Sequence, residues 1–336
     1  MAQEMVVSFS ALKDWRRCRQ LHFYRRTMGL QKKLRPTPFK MGSLIHSAVE
    51  AYLMDEPWSD VITEARKEWD KMMIEEQEYY GDMPSLVEGI MEMYVQQYPN
   101  DPDITLAVEL SFGDKEDDDY PPVELLPGLY MKGRIDWVLE DFTRGLGIWD
   151  HKSAKSQLPN EEHRMTDLQT AFYQRGWNNT PELVEEFGRC EHVGFNYILT
   201  KPPTIPEATQ KGLMSQSKIA TTEAVIRKAA EDLELNLEDP KVAESVEALI
   251  VKCARPASDW FARKPLHKPE YLVDNLINEA RVIATEMKHM ADHPYRDPEQ
   301  SCTTFCEFYA LCSAELLGLD TAGIIKADYT TKKEVK

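Results

Sequence analysis

The stretch LYMKGRIDWVLEDFTRGLGIWDHK, residues 129–152, decides how the chain folds. Residues 129–140 and 146–152 are two apolar runs, and Asp141-Phe142-Thr143-Arg144-Gly145 between them is rich in turn formers. This predicts two strands joined by a turn. Each strand carries an acid behind apolar residues, Ile135-Asp136 in the first and Ile148-Trp149-Asp150 in the second. Residues two apart on a strand share a face, so Asp150 and Lys152 point the same way. Gly133, just before Arg134-Ile135-Asp136, suggests a bulge or a close backbone approach.

Working outward, residues 106–112 alternate like a strand, and 114–122 form an acidic, proline-bearing loop containing Asp117-Asp118-Asp119. A helix is predicted over about 160–177 and a further strand over 192–199. Strand, hairpin, helix, strand is an α/β core with a mixed sheet. Upstream, Ser10 is placed to cap a helix over 11–28 that carries Cys18. A second helix, about 42–53, sets His46 and Glu50 one turn apart on one face. Residues 61–97 are helical in pattern with a break at 81–84, and 201–206 is a proline-rich exit. Residues 221–296 read mostly as helices broken near Asp239-Pro240 and Arg255-Pro256. The expected organisation is one domain over 1–317, with helical insertions at about 55–103 and 204–270 and a flexible tail at 318–336.

A chain of 336 residues that is 42% hydrophobic and 10% aromatic buries a full core and is not disordered. It has no run of 18 or more apolar residues and no basic-then-apolar leader. A cytoplasmic, membrane-free protein is therefore expected, prokaryotic or, if phage-encoded, in the host cell. A net charge of −17 argues against a nucleic-acid partner. Against that, residues 13–40 hold ten lysines and arginines opposed only by Asp14. Arg16, Arg17, Arg19, Arg25 and Arg26 are the candidate phosphate-facing residues, with a solvated helix face as the plainer reading. Trp15, Phe23, Tyr24 and Phe39 lie nearby and would stack exposed bases or serve as core.

If Asp136 meets Asp150 across the hairpin, the two carboxylates and the backbone carbonyl of His151 suffice for Mg2+, which prefers oxygen ligands. Such an ion polarises a phosphate and lowers the pKa of an attacking water. Lys152 would orient that water or stabilise charge on the phosphate oxygens. His46 would add an imidazole, which favours Mn2+. Gln169 and Tyr173, four apart on a helix, are placed to hold substrate or brace the ligands. Ordinary strand-end charge is the competing reading of Asp150 and Lys152, because Asp-x-Lys is short.

In order along the chain stand Gly42-x-x-x-His46-x-x-x-Glu50, Gly133-Arg134-Ile135-Asp136, Asp150-His151-Lys152-Ser153 and Gln169-x-x-x-Tyr173. This set resembles the RecB-like branch of the PD-(D/E)XK nucleases, which includes CRISPR-associated and phage exonucleases, over about residues 8–313. The resemblance implies a restriction-endonuclease-like α/β core and a metal-dependent deoxyribonuclease. It implies His46, Asp136 and Asp150 as metal ligands, Lys152 as the catalytic lysine, and Gln169 with Tyr173 as the Q-x-x-x-Y element. Exonuclease action on single-stranded DNA or ends follows from the resemblance alone, as do possible recombination, replication or CRISPR-related partners. Many relatives carry Glu where this chain has Asp150.

Cys302-x3-Cys306-x5-Cys312, with Cys18 near the start, supplies four thiolates. That is enough for a [4Fe–4S] cluster or, as the lesser possibility, tetrahedral zinc. Iron–sulfur members of the same branch are similar in having one early and three late cysteines, although their first late gap is commonly two residues. Cys190 and Cys253 read as buried thiols. The alternative to a nuclease is a non-catalytic DNA-binding or scaffold subunit with a structural [4Fe–4S] or zinc site.

Overall fold

A computed structural model describes residues 4–99, 103–113, 120–155, 162–290 and 294–331. The acidic run Asp117-Asp118-Asp119 lies outside the described residues. The chain opens with β1 (Met5–Ser8), α1 (Phe9–Arg17), α2 (Arg19–His22) and β2 (Leu30–Lys32). Four helices follow: α3 (Thr37–Leu53), α4 (Trp58–Asp70), α5 (Ile74–Tyr80) and α6 (Met83–Gln97). Then come β3 (Ile104–Phe112), β4 (Val123–Leu126), β5 (Leu129–Asp141) and β6 (Gly145–Ala154). Helices α7 (Leu168–Asn178) and α8 (Pro181–Phe187) lead to β7 (His192–Leu199), α9 (Glu223–Asp232) and α10 (Pro240–Cys253). The chain continues through β8 (Phe261–Leu266), α11 (Glu270–Met290), α12 (Cys302–Phe305), α13 (Tyr309–Leu316), α14 (Ala322–Asp328) and β9 (Tyr329–Thr331).

The central sheet runs β1-β5-β6-β7-β8, with β3 and β4 also paired to β5. It is mixed: β1–β5 and β6–β7 are parallel, while β3–β5, β5–β6 and β7–β8 are antiparallel. Helices flank it, giving the restriction-endonuclease-like α/β architecture expected. Every residue of β7 is buried, as befits a central strand covered on both faces. One core cluster joins the sheet to α1, α7 and α11 through Leu12, Trp15, Ile135, Ile148, Phe172 and Ile277. Another joins α3, α4 and α6 to the end of β7 through Ile45, Val49, Ile62, Val87 and Ile198. Between these two layers lies the stretch of sheet that carries Asp136 and Asp150, in the middle of β5 and β6.

The structure departs from the expectations in five places. The cap of the first helix is Ser8, whose Oγ accepts from the Ala11 N–H at 3.3 Å, and Ser10 lies inside α1. The helix expected over 11–28 breaks at Cys18, whose backbone is extended (φ −168°, ψ 123°). The helix expected from 160 begins at Leu168, after a 3-10 turn at Glu162–Thr166. The polar run FARKPL, read as part of a helical region, is β8, because the free edge of β7 offers it a ladder. Residues expected as a tail after 317 instead form α14 and β9, and β9 pairs with β2; 332–336 lie outside the described residues. The pairing fits chemically: Tyr329 stacks on Phe308, with ring centroids 5.4 Å apart.

Candidate active site

The ladder between β5 and β6 ends at the pair Trp137–Trp149. The next residues are Asp136 and Asp150, and there the strands part. Asp136 Oδ2 takes the role of a ladder carbonyl, accepting the His151 N–H at 2.9 Å. β6 stays paired with β7 as far as Ala154, so Asp150 and Lys152 ride on a strand held from its other side. Lys152 Nζ lies 2.5 Å from Asp150 Oδ2. That oxygen has no hydrogen bond of acceptable angle, so the contact is an ion pair by distance that leaves a buried lone pair unmet.

Helix α7 delivers the third element. Gln169 Oε1 accepts from Lys152 Nζ at 3.1 Å, while its Nε2 donates to Asp150 Oδ1 at 2.7 Å. One amide thereby sets the orientation of both charged groups. Tyr173 OH lies 3.5 Å from the same Nε2. Burial, then the Asp150 charge, pushes the Tyr173 phenol well above its ordinary pKa, so it stays a neutral donor. Gly133 permits this packing: a Cβ there would meet the Phe112 ring at 2.5 Å and Tyr173 at 3.0 Å. From α3, His46 places Nδ1 3.7 Å from Asp136 Oδ2. Burial lowers its pKa, which favours the neutral imidazole that can act as a ligand.

His151 has a different place from its neighbours. Its ring is 1% exposed, stacks on Trp137 and has Nδ1 3.1 Å from Asn196 Nδ2. The ring is packed into the protein, and the backbone N–H is what holds Asp136.

Two acids outside the sequence-derived site set join it. Glu50 follows His46 by one helical turn, and its pKa is pushed up to about 8 by burial and then by the hydrogen bond and charge of Glu109. Glu109, on β3, lies across from Asp136, bracketed by the pairs Val108–Trp137 and Leu110–Ile135. Its φ of +51° is left-handed, a conformation an L-residue holds only when its surroundings enforce it. Its carboxylate pairs with Arg134. The one acid in the apolar alternation of β3, and the i, i+4 spacing of Glu50 from His46, were the available signals.

Hard oxygen donors at this density suit Mg2+ or Mn2+. Asp136 shows the strain of the crowding: burial, then the charge of Asp150, pushes its pKa up to about 7. A divalent cation would relieve both causes, so the residues fit the ion. Among the described residues, no three His, Cys, Asp or Glu side chains stand in a finished metal-binding arrangement. The carboxylates are held instead by Lys152, Gln169 and the His151 N–H.

The model of the PD-(D/E)XK nuclease superfamily matches residues 6–313. The chain belongs to this superfamily. Its fold and the Asp150-His151-Lys152 run, of (D/E)-x-K form, agree with that membership. PD-(D/E)XK nucleases hydrolyse phosphodiester bonds and generally use Mg2+ or Mn2+. A comparison with curated proteins gave no match.

Elsewhere, Cys18, Cys302, Cys306 and Cys312 line one cavity of about 330 Å³ together with Arg17, Tyr24 and Arg296. None is in a disulfide. Cys312 Sγ accepts from Arg296 Nε and Cys302 Sγ from the Glu299 N–H, both at 3.3 Å. Burial pushes the Cys306 thiol up. Cys190 and Cys253 are buried elsewhere. The arginines expected to face phosphate are largely engaged within the protein. Arg25 and Arg26 pair with the buried Asp14, and Arg25 also with Glu307. Arg19 forks onto Glu286, and Arg17 donates to the Phe305 carbonyl. Arg16 is open, its side chain 66% exposed and 4.0 Å from Glu279. Among the described residues no helix is long and apolar enough to cross a membrane.

Proposed function

We propose that this protein is a metal-dependent deoxyribonuclease acting on single-stranded DNA or DNA ends, with Asp136, Asp150, Lys152, Gln169 and Tyr173 as its catalytic set. The observation that carries the reading is the convergence of Asp136, Asp150, Lys152 and Gln169 where β5 and β6 part. Asp136, Asp150, His46 and the His151 carbonyl would hold Mg2+ or Mn2+. The bound ion supplies a polarised phosphate and a water of lowered pKa. Lys152, beside Asp150, presents its ammonium where the phosphate oxygens gain negative charge. Gln169 keeps that ammonium from swinging away, and the neutral Tyr173 hydroxyl stands as a further donor.

Single-strand preference is supported by Phe39. Its ring is 70% exposed, whereas Trp15 and Tyr24 are core. Phe39 precedes His46 by seven residues on α3 and so shares its face about 10 Å along the axis. An unstacked base would lie against it there. The cysteine cavity is read as the seat of a [4Fe–4S] cluster, with zinc the lesser possibility; soft thiolates and N–H···S hydrogen bonds suit either. The deciding experiment compares wild type with Asp150→Ala on labelled single- and double-stranded DNA with Mg2+ or Mn2+. The wild type should cleave and the variant should lose at least about 100-fold; equal cleavage by both ends the assignment.

A further inference from the structure

Lys268 is a lysine only 1% exposed, in the link between β8 and α11. Its Nζ donates to three backbone carbonyls, those of Arg164 at 3.0 Å, Met165 at 2.8 Å and Asp167 at 2.8 Å. An ammonium has three N–H bonds, so the cradle uses all of them and leaves none for a side chain or a substrate. Burying such a group is tolerated only when it is fully bonded. This one is fully bonded, and to a single turn.

That turn launches α7. Asp167 is the N-cap of the helix, its Oδ1 accepting from the Thr170 N–H at 3.1 Å. Gln169, two residues beyond the cap, reaches Asp150 at 2.7 Å and Lys152 at 3.1 Å. Arg164 clamps the same turn to β7, donating to Tyr197 OH at 2.9 Å with its guanidinium over the Phe195 ring. Further along α7, Arg175 pairs with Glu270 at 3.0 Å and Asp274 at 2.5 Å, on the first turns of α11 just after Lys268. One segment of chain thus ties α7 at two points.

We infer that Lys268 is a positioning residue for the hydrolytic centre. It fixes the height of the α7 N-terminus so that Gln169 spans Asp150 and Lys152, and it never meets the substrate. This rests on the nuclease reading of that centre. A helix advances about 1.5 Å per residue, so a slip of even part of a residue carries the Gln169 amide off one partner or both. Misplacement of about 1 Å in a catalytic constellation costs about 100-fold in rate.

The test uses the full-length protein with Lys268→Met, which keeps the stem and removes the donors. Lys268→Arg serves as a second variant, because a planar fork cannot converge on three carbonyls. Each should lower kcat for metal-dependent DNA cleavage about 10- to 100-fold, with KM within about twofold of wild type. The combination Lys268→Met with Gln169→Ala should be no slower than Gln169→Ala alone, because the lysine acts through the glutamine. Multiplying losses, or an unchanged kcat, overturns the inference. Amide hydrogen exchange supplies a readout independent of turnover: residues 168–171 should exchange faster in Lys268→Met while the sheet does not, and unaltered exchange there overturns it. A chain that fails to fold with either replacement also overturns it, by making Lys268 a general stability residue. If the wild type cleaves no DNA, the nuclease reading fails, and the exchange experiment still decides the tether.

Discussion

At the scale of single residues, the centre is held under electrostatic tension. Asp136 and Glu50 are pushed up to about 7 and about 8 by burial and by neighbouring acids, against roughly 4 in an unfolded chain. A carboxyl group whose folded pKa is raised binds its proton more tightly in the native state. Its stabilising contribution is complete below the unfolded value and is lost as pH rises through the folded one. The melting temperature should therefore fall between pH 5 and 8, and millimolar Mg2+ or Mn2+ should restore it at pH 8 but hardly at pH 5. Calorimetry across pH with and without the ion checks this; a metal effect equal at both pH values contradicts it. Asp136→Asn should abolish cleavage yet raise the melting temperature at pH 8 by about 2 °C or more, as expected where function is kept at the expense of stability. Strand and helix periods in the sequence place Asp150 with Lys152 and Gln169 with Tyr173 on shared faces, while Asp136 comes level with Asp150 through the register of the β5–β6 hairpin. Glu109 stood out only as the one acid in the apolar alternation of β3, because its approach to Asp136 depends on the pairing of β3 with β5, across a sequence gap of 27 residues.

At the scale of elements, the β5–β6 turn sets the register that brings the two acids level. Asp141 Oδ1 accepts from Thr143 N and Oγ1 at 2.7 Å and from Arg144 N at 3.1 Å, and Oδ2 pairs with Arg144. Burial alone would raise the Asp141 pKa, but these donors outweigh it and hold the carboxyl well below its ordinary range. Asp141→Ala should cost about 1–2 kcal/mol at pH 7. Because the folded pKa is depressed, that contribution is present above about pH 4 and fades as pH falls through the folded value. Urea titrations at pH 7 and at pH 2–3 should show the gap between wild type and variant narrowing in acid, and a gap that stays constant refutes the assignment. The strands at 129–141, 145–154 and 192–199 were legible because hydrophobic runs and turn residues agree there. The delayed start of α7 was not, since the carbonyls of Arg164 and Met165 are taken by a lysine about a hundred residues away. β8 was hidden for a similar reason: Arg263 and Lys264 look solvent-bound, yet Arg263 lies over Tyr98 and Trp137.

At the scale of the whole molecule, the two ends of the chain are clasped together. Arg25 with Glu307, Arg19 with Glu286, Tyr24 with Glu315 and the β2–β9 ladder join them, and Cys18, Cys306 and Cys312 pack against the core cluster of Tyr24, Leu30, Phe308 and Tyr329. A cluster there would close nearly the entire chain into one loop, a constraint that for a disulfide of comparable span is worth about 4 kcal/mol or more. Protein purified without oxygen should be brown, and Cys18→Ser or Cys312→Ser should bleach it and lower its melting temperature by several degrees. A colourless wild type carrying one equivalent of zinc would select zinc, and one with neither would leave the clasp to its salt bridges. The arginines near the start were legible as a cluster but not as to their partners, because acids more than 250 residues away meet them only in the folded chain. The sequence by itself determined the α/β class, the strands that carry Asp136, Asp150 and Lys152, and the helix faces of His46 and Gln169, because each rests on a local period or spacing. Only the tertiary structure decided that Glu50 and Glu109 share the centre, that Lys268 holds α7 and that Arg19, Arg25 and Arg26 pair within the protein, because burial and long-range contact are set by how distant segments pack.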